Sequence, residues 1–260
     1  NPTAEAFVDF SNNDEKRYTY GEIFFSAQHF ATLIQGMNLP DNSRAVLCGA
    51  NSPEWCIAFL GMHLAGLSVA PMDAELSNQE IDNILGFLKP SIIVCQNSVA
   101  EKFDKFSLPS LNIDDIAIHS SAPENFIANV PETDQPMSIV FTSGTTSTPK
   151  GVVLTENNFA HQISVLSDKE NGLISKSDIL LNLLPLHHVY AFTCTFLLPL
   201  TLGAKVVYPR SLKGDSIVEA AQKEKVTIVA VVPKVLTALH SRILGTADEK
   251  GPLVRKFFRS

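Results

Sequence analysis

Residues Phe141 to Gly151 read FTSGTTSTPKG, and no other stretch constrains the chain as tightly. From Thr142 to Thr148 every residue except Gly144 carries a hydroxyl, and Pro149, Lys150 and Gly151 follow. The apolar run Met137-Ser138-Ile139-Val140-Phe141 leads in like a buried strand, and Gly151-Val152-Val153-Leu154 leads out like another. A loop of this kind suits a polyphosphate. Glycine lets the backbone come close, N–H and O–H groups donate to phosphate oxygens, and lysine offsets their charge. Polar surface turns use the same residue types, but a turn does not call for so many hydroxyls ahead of Pro-Lys-Gly. Two familiar phosphate loops are excluded. A Walker loop needs Gly-Lys-Ser/Thr opening a helix, whereas Lys150 precedes Gly151 and runs into strand-like Val152-Val153. The G-x-G-x-x-G dinucleotide fingerprint is absent around Gly49 and from Gly61 to Gly66.

The segment resembles the phosphate loop of the adenylate-forming superfamily, which includes acyl-CoA synthetases, aryl-acid ligases, luciferases and peptide-synthetase adenylation domains. That loop runs aromatic-Thr-Ser-Gly-Thr-Thr-Gly-x-Pro-Lys-Gly-Val, and the chain departs from it only at Ser147, where the family has glycine. If that position needs a positive φ, serine is strained there by roughly 1 kcal/mol or more. Thr155 and Asn158 match a Thr-His-x-Asn extension of the motif, with Glu156 in place of its histidine. An acid beside a phosphate weakens nucleotide binding unless it points away or helps to hold a cation.

A second block agrees. Asn182-Leu183-Leu184-Pro185-Leu186-His187-His188-Val189-Tyr190 is similar to the family's Leu-Pro-Leu-x-His-Val element, about forty residues after the loop. His188 matches the motif histidine. His187 replaces a residue that is often aromatic, and a doubled histidine here is similar to long-chain acyl-CoA synthetases. Phe192 falls where an aromatic residue can wall or gate an acyl tunnel. A core role is the competing reading for His187. Two histidines without a Cys, Asp or Glu partner at helical spacing do not make a metal site. A third echo, Thr227-Ile228-Val229-Ala230-Val231-Val232-Pro233, reads as a buried strand before a helix from Lys234 to Ser241.

Composition narrows the class. An apolar fraction of 45% and a charged fraction of 18% over 260 residues are those of a globular chain with one large or two small cores. A net charge of −7 with no basic stripe argues against a nucleic-acid binder. Phe257 and Phe258 among Arg255, Lys256 and Arg259 leave a membrane-surface contact as an alternative to plain surface charge. The four cysteines, Cys48, Cys56, Cys95 and Cys194, form no C-x-x-C pair, which suits reduced thiols in the cytoplasm. The opening Asn1-Pro2-Thr3-Ala4-Glu5 has no signal-peptide pattern. Ala191 to Leu202, the most apolar stretch, is too short to cross about 30 Å of hydrocarbon. Asn1 is not an initiator methionine, and Leu253 to Phe258 reads as the middle of an amphipathic helix, so the chain reads as a piece of a longer protein.

Strand-like and helix-like segments alternate, which predicts an α/β fold of mostly parallel sheets flanked by helices. Thr19-Tyr20-Gly21-Glu22 and Ser77-Asn78-Gln79-Glu80 are capping boxes, and Ser52-Pro53 is an N-cap followed by a first helical position. Arg44 to Cys48, Ser91 to Cys95, Ile179 to Leu184 and Lys205 to Tyr208 read as strands, and Trp55 to Ala65 as a helix buried all round. The pattern weakens from Asn97 to Pro136, where four prolines fall, which marks either an elaborated connection or a boundary between subdomains 1–130 and 131–260.

The resemblance implies the N-terminal part of an acyl-CoA-synthetase-like large domain. It implies an enzyme that uses ATP and Mg2+ to turn a carboxylic acid into an acyl-adenylate and then, with coenzyme A, into a thioester. Thr142, Ser143, Gly144, Thr145, Thr146, Ser147 and Lys150 would hold the nucleotide's pyrophosphate, with Thr142 also at the metal. His188 would act with Lys150 in catalysis, and His187, His188 and Phe192 would bind the acyl group. The histidine pair and the apolar Tyr190 to Leu202 stretch point to a long-chain fatty acid. The runner-up is a peptide-synthetase-like adenylation domain or acyl-carrier-protein ligase. From another class comes a non-catalytic or degenerate relative, for which Ser147 and Glu156 speak. Several family elements have no counterpart, including the Tyr-Gly-x-Thr-Glu motif and the distal lysine, so the isolated chain is expected to be inactive without its missing C-terminal part.

Overall fold

Side-chain caps set where several of the long helices begin. At α1 (Tyr20–Gln35) the Thr19 hydroxyl accepts from the Glu22 N–H at 3.2 Å, and the Glu22 carboxylate accepts from the Thr19 N–H at 2.8 Å. At α2 (Pro53–Leu64) the Ser52 hydroxyl accepts from the Trp55 N–H at 3.0 Å, and Pro53 sits where a missing N–H costs nothing. Ser77 and Glu80 form the same box before α3 (Asn78–Leu88). α4 is a single turn, Asn97–Ala100, and α5 spans Glu156–Leu166. α6 (Val189–Phe192), a π turn (Thr193–Leu197) and α7 (Leu198–Leu202) run on as one helical stretch, and α8 spans Gly214–Glu224. The computed structural model describes residues 1–11, 14–129, 134–142, 150–167, 172, 174–233 and 235–237, so most of the helix expected over Lys234 to Ser241 lies outside the described residues.

The strands are β1 (Glu5–Asp9), β2 (Lys16–Thr19), β3 (Arg44–Cys48), β4 (Ser68–Met72), β5 (Ile92–Cys95), β6 (Ser110–Asn112), β7 (Pro136–Thr142), β8 (Lys150–Thr155), β9 (Ile179–Leu181), β10 (Lys205–Tyr208) and β11 (Ile228–Val229). They form a six-stranded sheet in the order β6-β5-β3-β4-β7-β8 and a five-stranded sheet in the order β11-β9-β10-β1-β2. Each sheet is parallel apart from one antiparallel edge strand, β8 in the first and β2 in the second. The expected α/β architecture of mostly parallel sheets flanked by helices is the one observed.

Alternation along the strands sorts the layers. Ala45, Leu47 and Val69 of the first sheet share one core with Ala6, Phe7, Val206 and Tyr208 of the second, and the buried faces of α1 and α2 lie between them. Val46, Cys48 and Ala70 point the other way, onto Ile81, Ile84, Leu85 and Leu88 of α3. Val8, Leu181 and Val207 do the same for Ala220 of α8. Covered on both sides, α2 is apolar nearly all round. It approaches α1 closely at Gly61, where a Cβ would lie 2.8 Å from the Ala27 carbonyl oxygen and 2.9 Å from the Phe30 ring.

A division of the chain at residue 130 does not follow the sheets. β1 and β2 come from the first residues yet pair with β10, while β7 and β8, which follow residue 130, pair with β4. Part of the proline-marked connection is a strap across α1. The His119 N–H donates to the Ser26 hydroxyl at 2.8 Å, and the Gln35 amide donates to the Ile127 carbonyl at 3.0 Å. All four cysteines are free. Burial pushes the Cys48 thiol up to about 12 and the Cys95 thiol to about 11, as desolvation does to an anion in waiting. Among the described residues no helix is long and apolar enough to cross a membrane.

Candidate functional site

The phosphate-loop motif sits on a hairpin. β7 and β8 pair antiparallel with Phe141 opposite Gly151 and Thr142 opposite Lys150, so the two ends of the connection are held side by side. Gly151 lets the strands pack closely: a Cβ would lie 3.1 Å from Ile139 and 3.3 Å from the Phe141 ring, and both side chains would have to give a little. Thr142 and Lys150 are both exposed at the mouth. Ser143, Gly144, Thr145, Thr146 and Ser147 lie outside the described residues, and so does any strain at Ser147.

The extension of the motif is a helix cap. The Asn158 side chain accepts from the Thr155 N–H at 2.9 Å, and the Thr155 hydroxyl accepts from the Asn158 N–H at 3.3 Å. Glu156, the first residue of α5, turns toward α2, with Oε1 3.6 Å from His63 Nε2. That is longer than a hydrogen bond, and neither His63 nitrogen has a partner. Burial lowers the His63 pKa, while the Glu156 charge opposes the shift.

The histidine block crosses from the second sheet. β9 ends at Leu181, and the Asn182 N–H still reaches the Val207 carbonyl at 2.9 Å. Beyond it the backbone is held by Asn51, from the turn between β3 and α2. The Asn51 amide donates to Asn182 Oδ1 and the Leu184 carbonyl, both at 2.7 Å, and accepts from the Leu186 N–H at 2.9 Å. His187 and His188 follow, with ring centroids 4.2 Å apart.

His187 Nε2 is buried without a hydrogen-bond partner and faces Asp73 Oδ2 at 3.6 Å. The other Asp73 oxygen is taken by the Glu75 N–H at 2.9 Å, which fixes the carboxylate. Burial, then the neighbouring His188, lowers the His187 pKa, and Asp73 opposes both. Parallel β4 and β7 pair at Val69 and Ser138, so the carboxyl ends of the two strands, where Asp73 and Thr142 stand, lie at the same edge of the sheet. The histidine turn thus faces Asp73 just beyond the end of β4, the strand beside β7, at the carboxyl edge where open α/β sheets place their ligands.

His188 is exposed at the start of α6, and the next two residues, Val189 and Tyr190, are 44% and 48% exposed. Phe192 is placed otherwise. It is 3% exposed, with its ring 4.6 Å from Phe59 and 5.3 Å from both Phe159 and Phe196. In this conformation it belongs to an aromatic core and does not line an open tunnel. Among the described residues no three His, Cys, Asp or Glu side chains converge on a metal position. The Thr142 hydroxyl suits magnesium held chiefly by phosphate oxygens and water, since that ion takes few protein ligands.

The fold is that of the N-terminal domain of adenylate-forming enzymes. The o-succinylbenzoate CoA synthetase of Bacillus subtilis bound to its acyl-adenylate superposes with a TM-score of 0.79 at 20% identity, over 92% of this chain and 60% of that one. The nonribosomal peptide synthetase FmoA3 gives 0.77 at 24% identity, over 98% of this chain and 26% of that one. The profile of the AMP-binding enzyme family matches residues 1–256, and the chain belongs to that family. Similar proteins include 4-coumarate–CoA ligase 3 of Arabidopsis thaliana, 25% identical over 239 residues, which are 86% of this chain and 43% of the ligase. Another is 4-coumarate–CoA ligase 2 of Nicotiana tabacum, 28% identical over 238 residues, 85% and 44% of the two chains. The chain spans less than half the length of these relatives.

Proposed function

We propose that the whole protein carrying this chain is an AMP-forming acid–CoA ligase. A substrate carboxylate attacks the α-phosphorus of ATP, pyrophosphate leaves, and the thiol of coenzyme A then displaces AMP from the acyl-adenylate. The observation that supports the reading is that two motif-bearing segments lie at one edge of the first sheet: Thr142 pairs with Lys150 at the hairpin mouth, and His187 faces Asp73 at the end of β4, the strand that pairs with β7. Charge builds on the departing pyrophosphate, so fixed donors and a cation at that point lower the barrier. Lys150 supplies the cation, Gly144 a backbone N–H, and Ser143, Thr145, Thr146 and Ser147 hydroxyl and N–H donors, while Thr142 adds an oxygen ligand for magnesium. His188, with His187 behind it, positions the acid. The isolated 260 residues lack the remaining groups and turn nothing over. The cytoplasm suits the free thiols.

Apolar Val189 and Tyr190, exposed beside His188, favour an apolar acid, and a long-chain fatty acid is our first candidate. The second reading, an aromatic acid, draws on the relatives named 4-coumarate–CoA ligases and on the closed position of Phe192. Pyrophosphate exchange by the whole protein with palmitate, 4-coumarate and a panel of amino acids separates them. Exchange with palmitate alone supports the first reading and exchange with 4-coumarate alone the second. Exchange only with an amino acid points to an adenylation domain, and none with any acid overturns the ligase reading.

A further inference from the structure

The turn that carries His187 and His188 is tied to the opposite sheet by Asn51. An asparagine amide has two donor hydrogens and one acceptor oxygen. Here both kinds of group are used within Asn182 to Leu186, immediately before the histidines. Pro185, inside that span, has no N–H, and β9 has already ended at Leu181. The Leu184 carbonyl and the Leu186 N–H that flank it pair with the Asn51 side chain as they would with a neighbouring strand. The side chain thus stands in for a peptide group. Asn182, 2% exposed, passes the constraint on through its amide to the Thr195 hydroxyl at 3.3 Å, on the helical stretch that follows His188. Asn51 follows β3 and Asp73 follows β4, which are paired strands of the sheet that bears the hairpin.

We propose that Asn51 is a positioning residue, whose amide fixes the distance between the His187–His188 turn and the phosphate hairpin and so sets where the acid lies. The proposal rests on the ligase reading given above. Aspartate is nearly the same size but, when ionised, has no hydrogen to donate. Asn51→Asp sets its carboxylate against two oxygens that each now lie 2.7 Å from Asn51 Nδ2, and the turn must shift.

The test uses the whole protein with Asn51→Asp and Asn51→Ala. It measures kcat and KM for acid and for ATP, together with the imidazole nitrogen resonances of His187 and His188. In both variants KM for the acid should rise about tenfold or more while KM for ATP stays within about twofold, because only the acid site is displaced. Near neutral pH the loss should be larger in Asn51→Asp than in Asn51→Ala, because the ionised carboxylate repels both carbonyl oxygens whereas alanine only removes the contacts. Unchanged resonances, together with either unchanged constants or equal losses for acid and ATP, overturn the proposal. If no acid supports exchange in the wild type, the ligase reading fails, and the resonances still decide whether Asn51 holds the turn. Should Asn51→Asp not fold, Asn51→Ala decides by the same readouts.

Discussion

His63 is a base kept from its proton. Its imidazole is buried on α2, both nitrogens lack a hydrogen-bond partner, and Glu156 at 3.6 Å only partly offsets the cost of charging it. As pH falls, the unfolded chain therefore takes up this proton before the folded one does. The stability due to the neutral form is complete above about pH 6.5, the ordinary histidine value, and declines from there toward the lower folded value. His187 adds to the effect with the same sign, through burial and then His188. The urea midpoint should fall between pH 7.5 and pH 5.5, more steeply in the wild type than in His63→Leu, and equal slopes would remove His63 from the account. Lys150 makes the contrasting case: exposed at the mouth of its hairpin, it contributes little packing, and its proposed part is to hold the pyrophosphate. Lys150→Ala should cut pyrophosphate exchange about a hundredfold with an unchanged melting temperature. An unaffected exchange rate would sink the role given to the hairpin. These two residues also mark what a sequence can disclose. Lys150 stands in a contiguous motif, whereas the direction of Glu156, the reach of Asn51 and the facing of Asp73 on His187 depend on elements far apart in the chain. Asn51 leaves only a faint trace, an asparagine ahead of a Ser-Pro helix start, and Asp73 leaves none.

At the scale of elements, local chemistry was readable wherever it was also decisive. The boxes at Thr19 and Ser77 and the Ser52-Pro53 start all cap helices where their residue types require it. β4 carries a weak strand signal because Pro71 stands inside it, opposite Leu47, and proline argues against a central strand. Burial overrides that preference, since every residue of β4 is buried. β1 and β2 leave little local signal because their pairing is with each other and with the distant β10. Packing between α1 and α2 supplies a prediction that no propensity would give. Gly61→Ala, favourable in an isolated helix, should destabilise the protein by about 1–3 kcal/mol in urea, because the added methyl meets the Ala27 carbonyl and Phe30 at under 3 Å. A neutral or stabilising result would mean that the two helices can separate at no cost.

Over the whole molecule, two sheets share the α1 and α2 layer, and chain order does not respect either of them. The alternation of strands and helices disclosed the class of fold, whereas the weak pattern after Asn97 covers a connection that still carries the edge strand β6. Neither could show that the first two strands belong with residues 205–208, because pairing partners are set by three-dimensional packing and not by proximity in sequence. The same interleaving predicts how the chain comes apart. Residues 1–130 alone would keep the β1–β2 hairpin without β10 beside it, leaving Phe7 without the Tyr208 ring that now meets it edge-on at 5.6 Å. They would also leave β4 as a bare edge, since its neighbour β7 lies in the other piece. Residues 131–260 would lose α1 and α2, the layer against which the inner face of β10 packs. Expressed separately, neither piece should show a cooperative urea transition or dispersed amide resonances, because each lacks one wall of its core. Mixed, they should recover both, since every strand then regains its partner. A cooperative transition in residues 1–130 by themselves would show that the two sheets are independent bodies, and that the shared layer of α1 and α2 needs only one of them.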